Sequence, residues 1–135
     1  MRNLLVSNRV RQINGSFAFI EHRFHRHGFW ATLGHHELLL YFFLVLVSDR
    51  QGLSFYSYDK ICSLLAISVD EYIMARDSLI NKDLLAFDGT FFQVLSLPRS
   101  PVNHSTKLLK NRDDMETSDP ATIGQIIRRQ FNHES

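Results

Sequence analysis

The spacing of apolar residues in the middle of the chain predicts a helix that leads into a β-hairpin. From Val69 onward, apolar side chains recur at spacings of three, four and seven, which places them on one face of a helix. Ser68 precedes this helix and Glu71 follows three residues later, which is the spacing of a capping box. After Leu84 the runs "LLAFD" and "FFQVLSL" are β-prone and flank a turn at Asp88-Gly89.

Two further helices and a strand are predicted upstream. The run "LLLYFFLVLV" is apolar on all sides, and its length and polar flanks favour a helix from about His35 to Ser48 over a strand. "LSFYSY" predicts a strand over residues 53–58. The next helix has Ser57 as its N-cap and Lys60 facing outward, and its predicted buried side consists of Ile61, Leu64 and Leu65.

The two ends of the chain differ from this middle part. "SFAFIEHRFHRH" predicts a short helix over residues 17–27, ended by Gly28, with an apolar face that packs on the domain, on a second copy, or on both. Residues beyond Arg99 are polar and predict a flexible linker. A possible last helix spans residues 120–131. The predicted organisation is a basic N-terminal arm (1–34), a folded domain (35–97) and a polar tail (98–135).

Composition places the chain among soluble globular proteins, with 44% hydrophobic and 21% charged residues. Its one cysteine, Cys62, excludes an internal disulfide, and its apolar neighbours predict a buried, inert thiol. The N-terminus has no apolar region of secretory length, and the longest apolar run has ten residues, too few for a membrane span. We therefore expect a cytoplasmic protein without a membrane partner.

Charge is distributed unevenly along the chain. Residues 1–27 hold five arginines and one glutamate, a net charge of +4, whereas residues 28–97 hold four cations and eight acids, a net charge of −4. A basic arm joined to an acidic domain suggests an anionic partner for the arm. Solvation of an N-terminal tail is the alternative role for these arginines.

The order helix, strand, helix, turn, helix, hairpin resembles the winged helix-turn-helix domains of small bacterial regulators and of plasmid and phage replication initiators. The likeness covers residues 35–97 and is carried most clearly by "DEYIMARDSLINKDLLAFDGTFFQVL". In many winged-helix regulators an apolar residue, a few polar residues and a Gly-Leu-type pair precede the wing. The residues at these positions here are Leu79, "INKD" and Leu84-Leu85, and Asp83 stands where glycine is usual. The resemblance implies a mainly α fold with a small β-hairpin wing (α+β).

The resemblance also implies a DNA-binding role in transcription or replication, in which the third helix enters the major groove and the wing touches the DNA backbone or minor groove. The candidate positions that it gives on the third helix are Ser68, Asp70, Glu71, Met74, Arg76, Asp77, Ser78 and Asn81. The residues that we select as nucleic-acid-binding, because they can donate to bases or phosphates, are Arg2, Arg9, Arg11, Lys60, Ser68, Arg76, Ser78, Asn81 and Lys82.

Two alternatives concern the partners of the domain. The third helix carries three acids that a phosphate backbone repels, so the second functional hypothesis is a protein-interaction module. Its partner would bind this acidic helix or the C-terminal tail, whose helix would fold on binding. The apolar run Leu38–Val47 exceeds what one small domain needs, which predicts a homodimer interface. Alternatively, the arm and the C-terminal helix of the same chain bury this apolar face.

Catalytic and metal chemistry find no support in the sequence. No phosphate loop, nucleophile elbow or dinucleotide-binding turn is present, so we expect no enzyme activity and no cofactor. The histidines at positions 22, 25, 27, 35 and 36 invite a metal hypothesis. They lack the fixed spacing to cysteine or carboxylate partners that zinc sites show, so surface and packing roles are favoured.

Overall fold

Four α-helices and three short strands follow one another in residues 3–102, the part of the chain that the computed structural model describes. The helices are α1 (Arg23–Arg26), α2 (His35–Val47), α3 (Tyr58–Leu65) and α4 (Val69–Asn81), and the strands are β1 (Leu53–Ser54), β2 (Leu85–Phe87) and β3 (Phe92–Val94). Single 3₁₀ turns lie at Ser7–Arg9 and Trp30–Thr32. The fold is therefore mixed α+β, as expected, with the helices preceding most of the sheet.

The start of α4 confirms the predicted capping box. The Ser68 hydroxyl accepts from the backbone N–H of Glu71 at 3.0 Å, and the Glu71 carboxylate accepts from the backbone N–H of Ser68 at 2.8 Å. These two bonds satisfy N–H groups that have no partner inside the helix. The local sequence thus fixes where α4 begins.

The three strands form one antiparallel sheet in the order β1-β3-β2. The predicted hairpin is confirmed, with Leu85 opposite Val94 and Phe87 opposite Phe92. β1 pairs with the other edge of β3, where Leu53 lies opposite Gln93. Gly52 precedes β1 at φ 86, and an added Cβ would collide with the Val94 carbonyl, so no larger residue fits there. The sheet therefore joins the segment after α2 to the hairpin after α4.

One core joins the helices to the sheet. α4 packs against α2, α3 and β2, and α2 also contacts β3. The most deeply buried apolar side chains come from every one of these elements: Leu40, Leu44, Ile61, Tyr72, Leu79, Leu84, Leu85 and Phe92. Phe24, Phe29 and Leu33 belong to the same cluster, so the segment before α2 contributes to the domain core.

The predicted arm helix over residues 17–27 is wrong in its length. The helix has one turn, Arg23–Arg26, and the residues before it are not helical. Phe17 and Ile20, expected on its buried face, are exposed, whereas Phe24 is buried against Phe29 and Tyr41. Periodicity in so short a segment does not outweigh the cost of nucleating a helix without a surface to cover.

Two predictions between α2 and α4 also need correction. The strand predicted over residues 53–58 pairs only at Leu53 and Ser54, because Ser57 already serves as the N-cap residue of α3. Leu64 was expected in the buried side of α3 and is instead exposed, while Ile61 is fully buried as predicted. In an eight-residue helix the tertiary neighbours, rather than spacing alone, determine which flank is covered.

Two residues other than glycine adopt the left-handed conformation, among residues 3–102. Ala66 ends α3 at φ 55, and Asp83 ends the turn after α4 at φ 61. Aspartate tolerates this conformation better than most residues, so Asp83 is suited to this turn. Ala66 has no such compensation, because its Cβ lies close to the following carbonyl.

We predict that Ala66→Gly stabilises the domain by about 1 kcal/mol, because glycine removes the left-handed strain at the end of α3. Urea unfolding followed by circular dichroism measures the change. Ala31→Gly is the matched control, since Ala31 is also exposed but has a negative φ, and we expect it to be neutral or destabilising. Equal effects of the two substitutions would contradict the strain at Ala66.

Candidate nucleic-acid interface

The candidate surface centres on α4, the third helix of the predicted series. The helix packs on α2, Tyr72 and Leu79 are on its buried inner side, and Met74 lies on the outer side, 73% exposed. An unbranched apolar side chain in the middle of an open helix face is able to pack against an apolar group of a partner, such as a thymine methyl in the major groove. The site was predicted on this side of the helix.

Arg76 is not on that side, and its assignment as an exposed contact residue is wrong. Its side chain is 1% exposed and lies between two aromatic rings, with the guanidinium carbon 5.4 Å from the Tyr72 centroid and 5.3 Å from the Phe87 centroid. Its Nε and Nη2 donate to one carboxylate oxygen of Asp77 at 3.2 and 3.1 Å. Arg76 therefore joins α4 to strand β2 instead of facing outward.

The helical spacing contains the signal that could have located Arg76. Position 76 lies four residues after Tyr72 and three after Ile73, so it belongs to the same stripe as the apolar residues of α4. A charged residue in an apolar stripe is normally read as exposed, because an unpaired buried charge is costly. The neighbouring Asp77 and the aromatic Phe87, which only the fold brings close, make burial possible.

The acids of α4 serve the structure of the helix itself. The Glu71 carboxylate completes the capping box and lies 3.1 Å from His36 Nε2 on α2. Asp70 and Glu71 are in the first turn, where negative charge complements the helix dipole. Asp77 neutralises Arg76. The repulsion that these acids would exert on an anionic partner is therefore smaller than the sequence suggests.

Lys82, another predicted contact, holds two elements of the domain together. Its ammonium group donates to the Thr32 carbonyl at 2.5 Å and to the Glu37 carboxylate at 2.8 Å, and both partners of the ion pair are mostly buried. This places a cation at the C-terminal end of α4, where it also favours the helix dipole. Lys82 is thus tied to the start of α2.

The predicted arm cations Arg9 and Arg11 are exposed, and Arg2 lies outside the described residues. The base of the arm is held by Arg23, whose guanidinium donates to the carbonyls of Pro98 at 2.7 Å and Leu97 at 3.0 Å. Arg23 also lies 3.6 Å from Glu21. The structure thus leaves Arg9 and Arg11 in water and uses Arg23 as an anchor.

The remaining predicted donors lie on α3, at its turn to α4 and on α4. Lys60 is exposed on α3, with its ammonium 5.9 Å from the Tyr56 ring. Ser68 is exposed at the N-cap of α4, and Ser78 and Asn81 are half-buried toward its C-terminal end. Because α3 packs on α4, these side chains belong to one helical pair. Within residues 3–102, Arg9 and Arg11 are exposed and form no hydrogen bond or ion pair with these side chains.

The hairpin tip presents an exposed aromatic side chain, Phe91, that sequence reasoning did not single out. Asp88 accepts from the backbone N–H groups of Thr90 at 2.9 Å and Phe91 at 2.7 Å, which fixes the turn and lowers the pKa of the carboxyl. The Phe91 ring is exposed, 5.6 Å from the exposed ring of Phe55.

Cys62 is buried, as predicted from its neighbours. Its Sγ lies 3.7 Å from the Ser68 carbonyl, and burial, with a smaller contribution from Asp59, raises the pKa of the thiol. A raised pKa disfavours the thiolate, which is the reactive form. The thiol therefore acts as a small packing group beneath the α3–α4 turn.

Comparison with known proteins found no matching family model, no matching curated protein and no matching solved structure. Between residues 3 and 102, no three or more His, Cys, Asp or Glu side chains are grouped so that they could hold a metal ion. No helix in this part of the chain is long and apolar enough to cross a membrane. Any function has to be argued from the surface just described.

We predict that Arg76→Ala lowers the free energy of unfolding by about 3 kcal/mol, because it removes a buried, ion-paired side chain and leaves a gap between two rings. Arg76→Met should cost less, since it retains much of the volume. Arg50→Ala, at an exposed position, is the control and should change stability by less than about 0.5 kcal/mol. Urea unfolding measures all three, and an Arg76→Ala effect as small as the control would exclude this buried role.

The pKa of Glu71 is lowered, mainly because its carboxylate accepts from the Ser68 backbone N–H and also because of the Ser68 hydroxyl. Since the ionised form is favoured in the folded state, this carboxylate stabilises α4 above its ordinary pKa of 4.5. The contribution is lost as the pH falls through the lower folded-state pKa.

We therefore predict that Glu71→Gln makes stability fall less steeply with acidification below about pH 4.5. Ser68→Ala should instead cost about 1 kcal/mol at neutral pH and retain most of the acid dependence, because the backbone bond to Glu71 remains. Unfolding midpoints measured from pH 7 to pH 3 distinguish the two variants. If stability fell as steeply below about pH 4.5 in Glu71→Gln as in the wild type, the stabilising role of the ionised Glu71 carboxylate would be contradicted.

Proposed function

We propose that this protein is a DNA-binding protein of the winged helix-turn-helix type, a small regulator of transcription or replication. The observation that carries the proposal is the connection of elements: α2, β1, α3, a short turn, α4 and the β2–β3 hairpin, with β1 paired to the far edge of β3. In winged helices that arrangement presents the third helix to the major groove and the hairpin to the adjacent backbone or minor groove.

The charges of α4 are compatible with this role once their partners are considered. Asp77 is neutralised by Arg76, and Glu71 is held by the Ser68 backbone and faces His36. The outer face then offers Met74, Ser78 and Asn81, with Ser68 at its N-terminal end. An apolar side chain, hydroxyls and an amide are groups that read base edges in the major groove.

Affinity for phosphate has to come from elsewhere, because α4 has no exposed basic side chain. Arg9 and Arg11 in the exposed arm, with Arg2 preceding them in the sequence, supply cations for the DNA backbone, as N-terminal arms of other DNA-binding domains do. Lys60 on α3 adds a cation beside α4. At the hairpin tip, Phe91 and Phe55 offer apolar surface of the kind that inserts into minor grooves.

A second candidate function, a protein-interaction module, is favoured by one specific observation. Arg76 is removed from the surface and the hairpin tip has no basic residue, so the face that would meet DNA carries more negative than positive charge. Such a face suits a basic partner segment. The two functions differ in whether the exposed arginines of the arm bind polyanions.

We predict micromolar binding of the full chain to a random-sequence DNA duplex, weakening steeply with salt, as measured by fluorescence anisotropy. Arg9→Gln/Arg11→Gln should reduce the slope of log K against log salt concentration by about 2, since each phosphate contact contributes about 0.9. Arg26→Gln/Arg50→Gln removes the same charge from exposed positions outside the proposed contact set and should leave the slope nearly unchanged.

A second pair of variants tests α4 itself. Met74→Glu places a negative charge in the middle of the outer face and should weaken DNA binding at least about tenfold. Gln51→Glu adds the same charge in an exposed turn after α2 and serves as its control. Absence of DNA binding at low salt would eliminate the DNA proposal and direct attention to basic protein partners of α4.

A further inference from the structure

The outer face of α4 has an apolar side chain at its centre and an acid on each side of it. Met74 is 73% exposed. Asp70 lies four residues before it and Asp77 three residues after it, so all three share one side of the helix. The one basic residue of α4, Arg76, is buried. This face therefore suits a segment that presents apolar groups between two cations.

The described part of the chain ends on the side of the domain where α4 ends. Pro101 lies beside Gly28, since a Cβ added to that glycine would be 3.9 Å from the proline Cγ. Four residues after Gly28, the Thr32 carbonyl accepts from the ammonium group of Lys82, the residue that follows α4. The chain beyond residue 102 thus starts near the C-terminal end of this helix.

A basic segment follows directly, beyond the described residues. Residues 103–112, "NHSTKLLKNR", contain three lysines or arginines and no acid, and Leu108-Leu109 stands between Lys107 and Lys110. Ten extended residues span up to about 33 Å, whereas the 13 residues of α4 span only about 20 Å. The segment is therefore long enough to run along the outer face of α4.

The charges on the helix and on the segment have matching spacings. Asp70 and Asp77 are seven residues apart, which is about 10.5 Å along a helix. Lys107 and Lys110 are three residues apart, which is about 10 Å along an extended chain. A segment that arrives at the C-terminal end of α4 and runs toward its start brings the first lysine to Asp77 and the second to Asp70. The two leucines then lie over Met74.

The tether selects this segment over an outside partner and over the basic arm. A segment linked to the domain by a few residues has an effective concentration in the millimolar range, which a separate molecule rarely reaches. The arm follows another path, since residues 15–21 line a groove with the C-terminal end of α2 and residues 94–97. The residues that follow 102 are thus the basic segment that is placed to reach α4.

We infer that the outer face of α4 is the docking site of residues 103–112 of the same chain. The lysines of the segment pair with the acids of the face, and its leucines cover Met74. Docking itself does not depend on DNA. One consequence rests on the proposed function: if α4 reads DNA, the segment and the major groove compete for one face, so the tail is autoinhibitory until DNA displaces it.

Disulfide trapping in the full chain tests the docking without DNA. The variant Met74→Cys/Leu109→Cys, the α4–tail pair, should form an intramolecular disulfide in oxidised glutathione at least about tenfold faster than Gln51→Cys/Leu109→Cys. Gln51 is the matched control position, because it is exposed and lines the groove with Leu97, close to where the chain leaves the domain. Intact mass measures the product, and peptide mapping verifies that the buried Cys62 is not part of it.

Charge variants of the α4–tail pair test whether the lysines direct the docking. Lys107→Glu/Lys110→Glu should slow trapping at least about fivefold, because it brings like charges to the face. Arg128→Glu/Arg129→Glu makes the same change of charge in the tail outside residues 103–112 and should leave the rate within about twofold. Circular dichroism verifies that the variants are folded.

DNA binding by the same variant separates the docking from the proposed function. The oxidised α4–tail pair should bind a random-sequence duplex at least about tenfold more weakly than its reduced form, as measured by fluorescence anisotropy. Equal affinities would show that DNA and the tail do not share this face and would overturn the autoinhibition. If the reduced and wild-type chains do not bind DNA at all, the proposed function fails, and the trapping rates still decide the docking.

Three trapping results would overturn docking on α4. One is a Gln51→Cys control that reacts as fast as the α4–tail pair, since the tail then has no preferred face. Another is an equal trapping rate in the two charge variants. The third is a disulfide between two chains whose yield rises with protein concentration, because that result places residues 103–112 on a second copy.

Discussion

The position of α4 relative to the sheet depends on one buried cation. Arg76 lies between the rings of Tyr72 and Phe87 and is neutralised by Asp77, so it connects the middle of α4 to strand β2. A buried guanidinium without its carboxylate would be strongly destabilising, so the pair must be kept together. The hairpin follows α4 directly, and this contact therefore fixes the orientation of the hairpin relative to the helix.

Other polar contacts fix α1 and α2 by the same principle. Lys82 links the end of α4 to the start of α2 through Glu37, and Arg23 links α1 to the segment after β3. In each case a long cationic side chain spans elements distant in sequence and binds carbonyls or carboxylates that would otherwise be left unsatisfied. Of the basic residues predicted to contact DNA, Arg76 and Lys82 have structural roles, whereas Arg9, Arg11 and Lys60 are exposed.

This division bears on the proposed function. If α4 and the hairpin meet DNA, most of the electrostatic attraction comes from arm residues such as Arg9 and Arg11. Among the acids of α4, Glu71 caps the helix and faces His36, and Asp77 pairs with Arg76.

The sequence by itself determined the elements whose signals are local. The Ser68–Glu71 capping box, the turn at Asp88-Gly89 and the apolar stripe of α4 depend on neighbours within a few residues, and all three are confirmed. Only the tertiary structure decided that Arg76 is buried, that Leu64 is exposed and that residues 17–22 are not helical. The physical reason is that burial of a side chain depends on which distant groups cover or neutralise it, and spacing along the chain does not record them.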